Sequence, residues 1–553
     1  MTHNFGAIAY LAILITFPAG ALAQQKKPPK SPVQPTPSAP STTAAQQPSS
    51  ESAKPSVPTA EKPEAAASPS AAQQTKFDMT ETAPAVTHHE ITVNGKTLKY
   101  TATAGRMPIK DNDGKTQALM FYVAYTLDGA NPDKRPVTFA FNGGPGSSSI
   151  WLHMGALGPR KVVLEENGRL PASPYRLMDN PYTPLDATDL VLVDAIGTGF
   201  SRPADEKAGK KYWSVKGDVE AFGEFIRMYI TRNERWTSPL YLLGESYGTT
   251  RAGGIAGYLV NRGIAFNGIM LLSTVLNFET SNETWVLTND VPYPLLLPSF
   301  AMVAAYHHKL APDLMADLDK TRAEVTRWAA NEYIVALNKG DALTPQEHEA
   351  IAEQLSRYTG LSKDVVEGAA LRVDVATFTH FLLADQQLRV GRQDGRFTSL
   401  DPGGFADTSG YPYDPISMNT PPFTSAFNAY LRRELDYKTD MPYWVSGRGK
   451  GNFHWEWGDA DDGFPQTGTS LREAIVQDPY LKIMVMEGFY DLATPYMAAE
   501  YSMGHLNLPP AYRKNISYAR YDSGHMVYLN MPSLKQMHQD MTNFVDTNLG
   551  TAK

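Results

Sequence analysis

Cysteine is missing from all 553 residues. Its absence excludes disulfides, thiol nucleophiles, thiolate metal sites and cysteine lipidation, so packing and hydrogen bonds alone must hold the fold. Positive charge is also scarce: 50 Lys and Arg against 58 Asp and Glu leave a net charge of −8. Such a chain has no broad basic field to attract a phosphate backbone, which excludes nucleic acid as the main partner. Beyond the N-terminus no run is long and apolar enough to cross a bilayer. No His-Glu-x-x-His spacing occurs, and the adjacent pairs His88-His89 and His307-His308 cannot converge on one ion from a strand or a helix. No metal and no cofactor are expected.

The first 23 residues combine an apolar stretch from Phe5 to about Pro18 with Ala21-Leu22-Ala23, a small-x-small cleavage pattern. They are read as a secretory signal; the lack of Lys or Arg ahead of the apolar stretch leaves an uncleaved anchor as the alternative. Export without cysteine points to a bacterial envelope, periplasmic or extracellular. Residues 24–86 are Pro, Ala, Ser, Gln, Lys and Thr with almost no large apolar side chains, too little to offset the entropy of ordering them. This stretch is expected to be a disordered tether.

Texture changes near His89. Asn94-Gly95 between two β-rich runs predicts a two-residue hairpin. The stretches 117–127 and 136–141 follow as strands. Next come 189–195, 239–245 and 267–274, apolar at nearly every position, as strands covered on both faces must be. Between them, Val215, Val219, Phe222, Ile226 and Tyr229 recur at helical steps. Strands alternating with helices imply an α/β fold, a mostly parallel sheet with helices on both faces. From 282 to 447 the helical patterns lack intervening strands, and Thr344-Pro345-Gln346-Glu347 carries capping-box spacing with Pro at the first helical position. That block is expected to be a largely helical cap inserted between a first core segment, 87–281, and a second, 448–553. Strands resume at 481–488 and 516–524, and a helix carrying Leu534, Met537, Met541, Phe544 and Val545 closes the chain.

One short motif falls where this organisation gives it meaning. Gly244-Glu245-Ser246-Tyr247-Gly248 ends an apolar strand and opens a helix, so a sharp turn would lift the Ser246 hydroxyl above the sheet as a nucleophile. A serine needs a base, and the base an orienting acid. Where the chain order is Ser, acid, His, both partners sit on loops after late strands; Asp491 and His525 occupy such positions. The loop 141–149, Phe-Asn-Gly-Gly-Pro-Gly-Ser-Ser-Ser, is suited to an oxyanion hole, with the N–H of Gly144 and that of Tyr247 as donors.

These residues resemble the serine carboxypeptidases, peptidase family S10, and look most like its bacterial branch. The resemblance rests on 142–149, 193–201, 244–249, 488–495 and 523–532, in one consistent order over about 90–545. It implies an α/β-hydrolase fold and release of C-terminal residues from peptides through an acyl-enzyme. It also implies that Ser246 is the nucleophile, His525 the general base and acid, and Asp491 its orienter, while Asn142, Gly143 and Glu245 bind the substrate's terminal carboxylate. Many relatives carry a Glu just before Leu-Gly-Pro that partners the Glu beside the nucleophile. Here that position is Ala156. Without this partner the pKa of Glu245 is expected to be raised less. An esterase or acyltransferase would use the same triad, and a non-catalytic envelope protein that kept the fold for binding is a further alternative.

Overall fold

Asn94 and Gly95 both adopt positive φ, 50° and 77°, in the computed structural model, which describes residues 77–165, 168–281, 288–401, 414–447, 454–458, 463–549. Two left-handed residues match the twist of the strands they join. The hairpin they close pairs β1 (Ala85–Val93) antiparallel with β2 (Lys96–Lys110), which pairs in turn with β3 (Thr116–Leu127).

Six short strands, apolar and buried except for the last at the far edge, carry on from here: β4 (Val137–Phe141), β5 (Asp189–Val193), β6 (Leu240–Glu245), β7 (Gly268–Leu272), β8 (Lys482–Gly488) and β9 (Ile516–Tyr521). The sheet order is β1-β2-β3-β5-β4-β6-β7-β8-β9, and every pairing from β5 to β9 is parallel. Parallel strands need helical crossovers, which cover both faces and explain the unbroken apolar sequences. Along β6, Leu242 joins one core while Tyr241 and Leu243 join the other.

The first core is closed by α1 (Val215–Arg232) and α2 (Tyr247–Val260), through Phe222, Phe225, Ile226, Ile255 and Leu259. A second group of helices lies away from the sheet: α3 (Pro292–Tyr306), α4 (Leu318–Trp328), α5 (Pro345–Thr359) and α6 (Val375–Phe381) form a core of their own around Phe300, Val325, Trp328, Leu355 and Phe378. Helix α5 starts with the full capping box, Thr344 and Glu347 each bonding the other's backbone N–H, with Pro345 in the first turn. Residues 388–390 and 398–400 form a small antiparallel hairpin. Helix α7 (Thr420–Arg433), inside the stretch read as the insertion, instead packs Phe423, Phe427 and Leu431 against the second face of the sheet. Helices α8 (Gly468–Gln477) and α9 (Tyr496–Gly504) complete the first face, and α10 (Met531–Asn548) the second, with Leu534, Met537, Met541 and Val545 buried. Burying a side chain of this size contributes about 1.5–3 kcal/mol.

The signal and most of the tether lie outside the described residues. Residues 77–86, expected to be tether, belong to the folded unit. Phe77 donates its N–H to the Ala204 carbonyl and sets its ring edge-on to Trp444, and β1 already begins at Ala85. The compositional signal of disorder therefore runs about ten residues past the point where backbone pairing takes over, because Thr, Ala and His in β1 are neutral in composition but regular in hydrogen bonding. Among the described residues, no helix is long and apolar enough to cross a membrane.

Candidate active site

Ser246 sits in the turn from β6 to α2 at φ 62° and ψ −131°, a conformation that costs a non-glycine residue about 1–3 kcal/mol. Its N–H donates to the Leu272 carbonyl, so the next strand holds the turn. The flanking glycines have a steric cause: a Cβ on Gly244 would lie 2.1 Å from the Gly248 carbonyl oxygen. Ser246 is half-buried and lines a cavity of about 710 Å³ together with Asn142, Gly143, Gly144, Glu245, Tyr247 and His525.

His525 and Asp491 arrive from the loops after β9 and β8. The His525 Nδ1 is 2.7 Å from Asp491 Oδ2, both side chains being almost completely buried. Asp491 Oδ1 accepts the N–H groups of Ala493 and Thr494, at 2.7 and 3.0 Å, and the Thr494 hydroxyl donates to Oδ2 at 2.6 Å. This carboxylate is thereby fixed in place. With Nδ1–H directed at Asp491, Nε2 is the nitrogen left to take up a proton. Burial works to lower the His525 pKa, but the charge and hydrogen bond of Asp491, helped by Glu245, outweigh it and leave the imidazole above its ordinary value.

The glycine loop approaches the serine turn closely, since a Cβ on Gly143 would stand 2.5 Å from both the Tyr247 and the Gly248 nitrogens. Beneath it, Arg251 of α2 bonds Asp218 of α1 at 2.7 Å and the Asn142 carbonyl at 2.6 Å, all out of solvent. Asn142 Oδ1 in turn accepts the Leu152 N–H. Gly144 is exposed at the cavity edge and Tyr247 opens α2, and both residues line the cavity.

Glu245 is buried beside the serine turn. Burial raises its carboxyl to about 7, although hydrogen bonds from Tyr528 and Asn142 and the nearby His525 pull the other way. Although Ala156 brings no carboxyl to this site, burial is the largest cause of the raised pKa, and the charge of Asp491 adds to it. The Tyr528 hydroxyl donates to Glu245 Oε2 at 2.9 Å, and its ring lies so close to Gly155 that a Cβ there would be 2.6 Å away. A tyrosine from the far end of the chain thus partners this glutamate next to Ala156.

Several residues that no motif marked also reach the cavity. Arg392, Gln393, Asp414 and Ile416 line it from the segment between the cap helices and α7, and Phe278 and Trp457 supply aromatic surface near Tyr247. The segment 391–397 also braces the loops that carry Asp491 and His525. The Gln393 carbonyl accepts the His525 N–H at 2.6 Å, the Arg392 carbonyl accepts the Leu492 N–H at 3.0 Å, and Gly395 N–H donates to the Tyr490 carbonyl at 2.9 Å. Asp394, paired with Arg396 at 2.6 Å, accepts the Gly524 N–H at 3.1 Å, while Arg396 donates to the Asp522 carbonyl and the Ser523 hydroxyl. No sequence signal links 394 to 524, because the contact exists only once the cap is folded.

Of the other late histidines, His505 caps α9 against Tyr501 and His538 bonds Asp186 from within α10. Among the described residues, no cluster of three His, Asp or Glu could hold a metal ion.

A parallel sheet in this order, with a strained serine after one central strand and a His–Asp pair after the last two, defines an α/β-hydrolase fold. The family model described as serine carboxypeptidase matches residues 94–370, and the chain belongs to that family. Curated relatives include serine carboxypeptidase-like 45 of Arabidopsis thaliana, 26% identical over 218 residues, 35% of this chain and 43% of that protein. Serine carboxypeptidase-like 20 of the same plant is 28% identical over 155 residues, 24% of this chain and 30% of that one. The matched stretches thus span less than half the length of these relatives. Among solved structures, Kex1(Δ)p, a prohormone-processing carboxypeptidase from Saccharomyces cerevisiae, aligns at a TM-score of 0.48 and 16% identity over 82% of this chain and 92% of that one.

Proposed function

We propose that the protein is an exported serine carboxypeptidase that releases C-terminal residues from peptides. The observation that carries this reading is the convergence of Ser246, the His525–Asp491 pair and the glycine loop on one cavity large enough for a dipeptide end. In the reaction, Ser246 Oγ attacks the last peptide carbonyl while His525 Nε2 takes the hydroxyl proton. Asp491 holds the imidazolium that forms, and the N–H groups of Gly144 and Tyr247 stabilise the oxyanion. The carbon–nitrogen bond then breaks as His525 passes the proton to the leaving amine, which leaves an acyl-enzyme. Water, deprotonated by His525, releases the shortened peptide.

Asn142, Gly143 and Glu245 receive the terminal carboxylate. A protonated Glu245 donates a hydrogen bond to it, and an ionised one repels it, so the elevated pKa favours binding up to about pH 7. Export is supported by the N-terminal sequence pattern alone. The test is a mixed peptide library, free and amidated at the C-terminus, with products read by mass spectrometry. Loss of single C-terminal residues from the free peptides only is the expected result. Turnover of esters with no cleavage of free peptides would instead support the esterase or acyltransferase reading.

A further inference from the structure

Arg392 is the only lysine or arginine among the described residues lining the cavity. Its side chain is exposed, and no described carboxylate lies within ion-pair distance of its guanidinium. Asp414 shares the cavity wall and feels the Arg392 charge without forming an ion pair, and its oxygens are already committed to the N–H groups of Arg392, Gln393 and Ile416 at 2.9, 2.9 and 3.1 Å. The backbone of Arg392 is therefore pinned on both sides. Its N–H is held by Asp414, its carbonyl by Leu492 of the acid loop, and the next carbonyl by His525 itself. With its backbone already fixed, binding requires no ordering of the loop and only the side chain of Arg392 has to settle.

Location selects which part of the substrate it meets. The segment bearing Arg392 is bonded to His525, the residue that protonates the leaving amine, and the imidazole feels the Arg392 charge, which puts the cation near the leaving-group half of the reaction. Phe278 and Trp457, in contrast, pack around Tyr247, next to the nucleophile. The terminal α-carboxylate already has Asn142, Gly143 and Glu245. We propose that Arg392 pairs with a side-chain carboxylate on the departing residue, so that the enzyme selects peptides ending in Asp or Glu. This deepens the carboxypeptidase reading and rests on it.

The test uses peptides identical except for a C-terminal Glu, Gln or Leu, each free and amidated, against the wild type and Arg392→Met. The wild type should favour the free Glu peptide over the free Gln peptide by about tenfold in kcat/KM, and the preference should shrink with added salt, as an exposed ion pair requires. In Arg392→Met the Glu and Gln peptides should be cleaved within a factor of about two of each other. Thermal unfolding of the variant should match the wild type, because its backbone contacts remain. A Glu preference that persists in the variant, or none in the wild type, would overturn the proposal. So would a variant that loses discrimination between free and amidated ends equally for all three residues, since Arg392 would then serve the α-carboxylate. If the wild type cleaves none of the free peptides, the Leu peptide included, the carboxypeptidase reading fails and takes this inference with it.

Discussion

The Ser246 side of the cavity and the Arg392 side are built by opposite means. Ser246, Tyr247 and Glu245 are consecutive residues on the end of a buried strand, and the glycine loop ends the neighbouring strand β4. Their geometry follows from the sheet, with Arg251 and Asp218 as a buried brace. Arg392 lies in the turn of the small hairpin 388–400, where Asp414 holds its N–H and the segment around it is bonded to the distant loops of Asp491 and His525, as in Gly524 with Asp394. The comparison separates chemistry carried by local sequence from recognition carried by long-range contact. The first is written in five residues, and the second has no local signature.

The sharpest break lies on the serine side. Ser246→Ala should lower kcat by about 10⁴-fold or more and abolish fluorophosphonate labelling, because members of a triad act as a unit. Its unfolding temperature should not fall, and labelling that persists in the variant would place the nucleophile elsewhere. On the other side, Asp394→Asn leaves no catalytic atom changed but loosens the brace on Gly524 and uncouples Arg396. Since a small misplacement of a catalytic group costs up to about 10²-fold, kcat should fall about 10- to 100-fold with KM nearly constant. A variant with unchanged kcat would show that the His525 loop holds itself.

Glu245 stands between the two sides and gives a pH signature. Its carboxyl, raised to about 7, is neutral below that pH and charged above it. KM for free peptides should therefore rise as pH passes about 7, whereas KM for any ester substrate lacking a free carboxylate should show no such rise. Glu245→Gln, always neutral, should give a flat KM profile; a retained rise would assign the titration to another group. Tyr528→Phe is a finer probe. The tyrosine hydroxyl donates to the carboxylate and favours its charged form, so removing it raises the Glu245 pKa further and should move the rise in KM to higher pH by a fraction of a pH unit. The smallest effect concerns the N-terminal boundary. A chain beginning at Thr87 lacks Phe77 and the Glu81–Arg232 pair, and should unfold a few degrees below one that begins just before Phe77, with similar kcat/KM. Equal unfolding temperatures would return residues 77–86 to the tether.

Residue order alone determined the parallel sheet, the serine turn, the two late loops and the separate helical block. Each rests on short-range physics: apolar runs demand cover on both faces, Gly244 and Gly248 permit one close crossing, and Thr344 with Glu347 closes a helix start. The family resemblance depends on those same local stretches. Only the tertiary structure decided that Glu245 titrates near neutrality, that Tyr528 rather than a second carboxyl attends it, that helix α7 serves the sheet, and that Asp394 and Arg396 hold the histidine loop. These depend on desolvation and on contacts between residues far apart in the chain, such as 245 with 528 and 394 with 524. Burial and long-range pairing are properties of the packed molecule, and no window of sequence contains them.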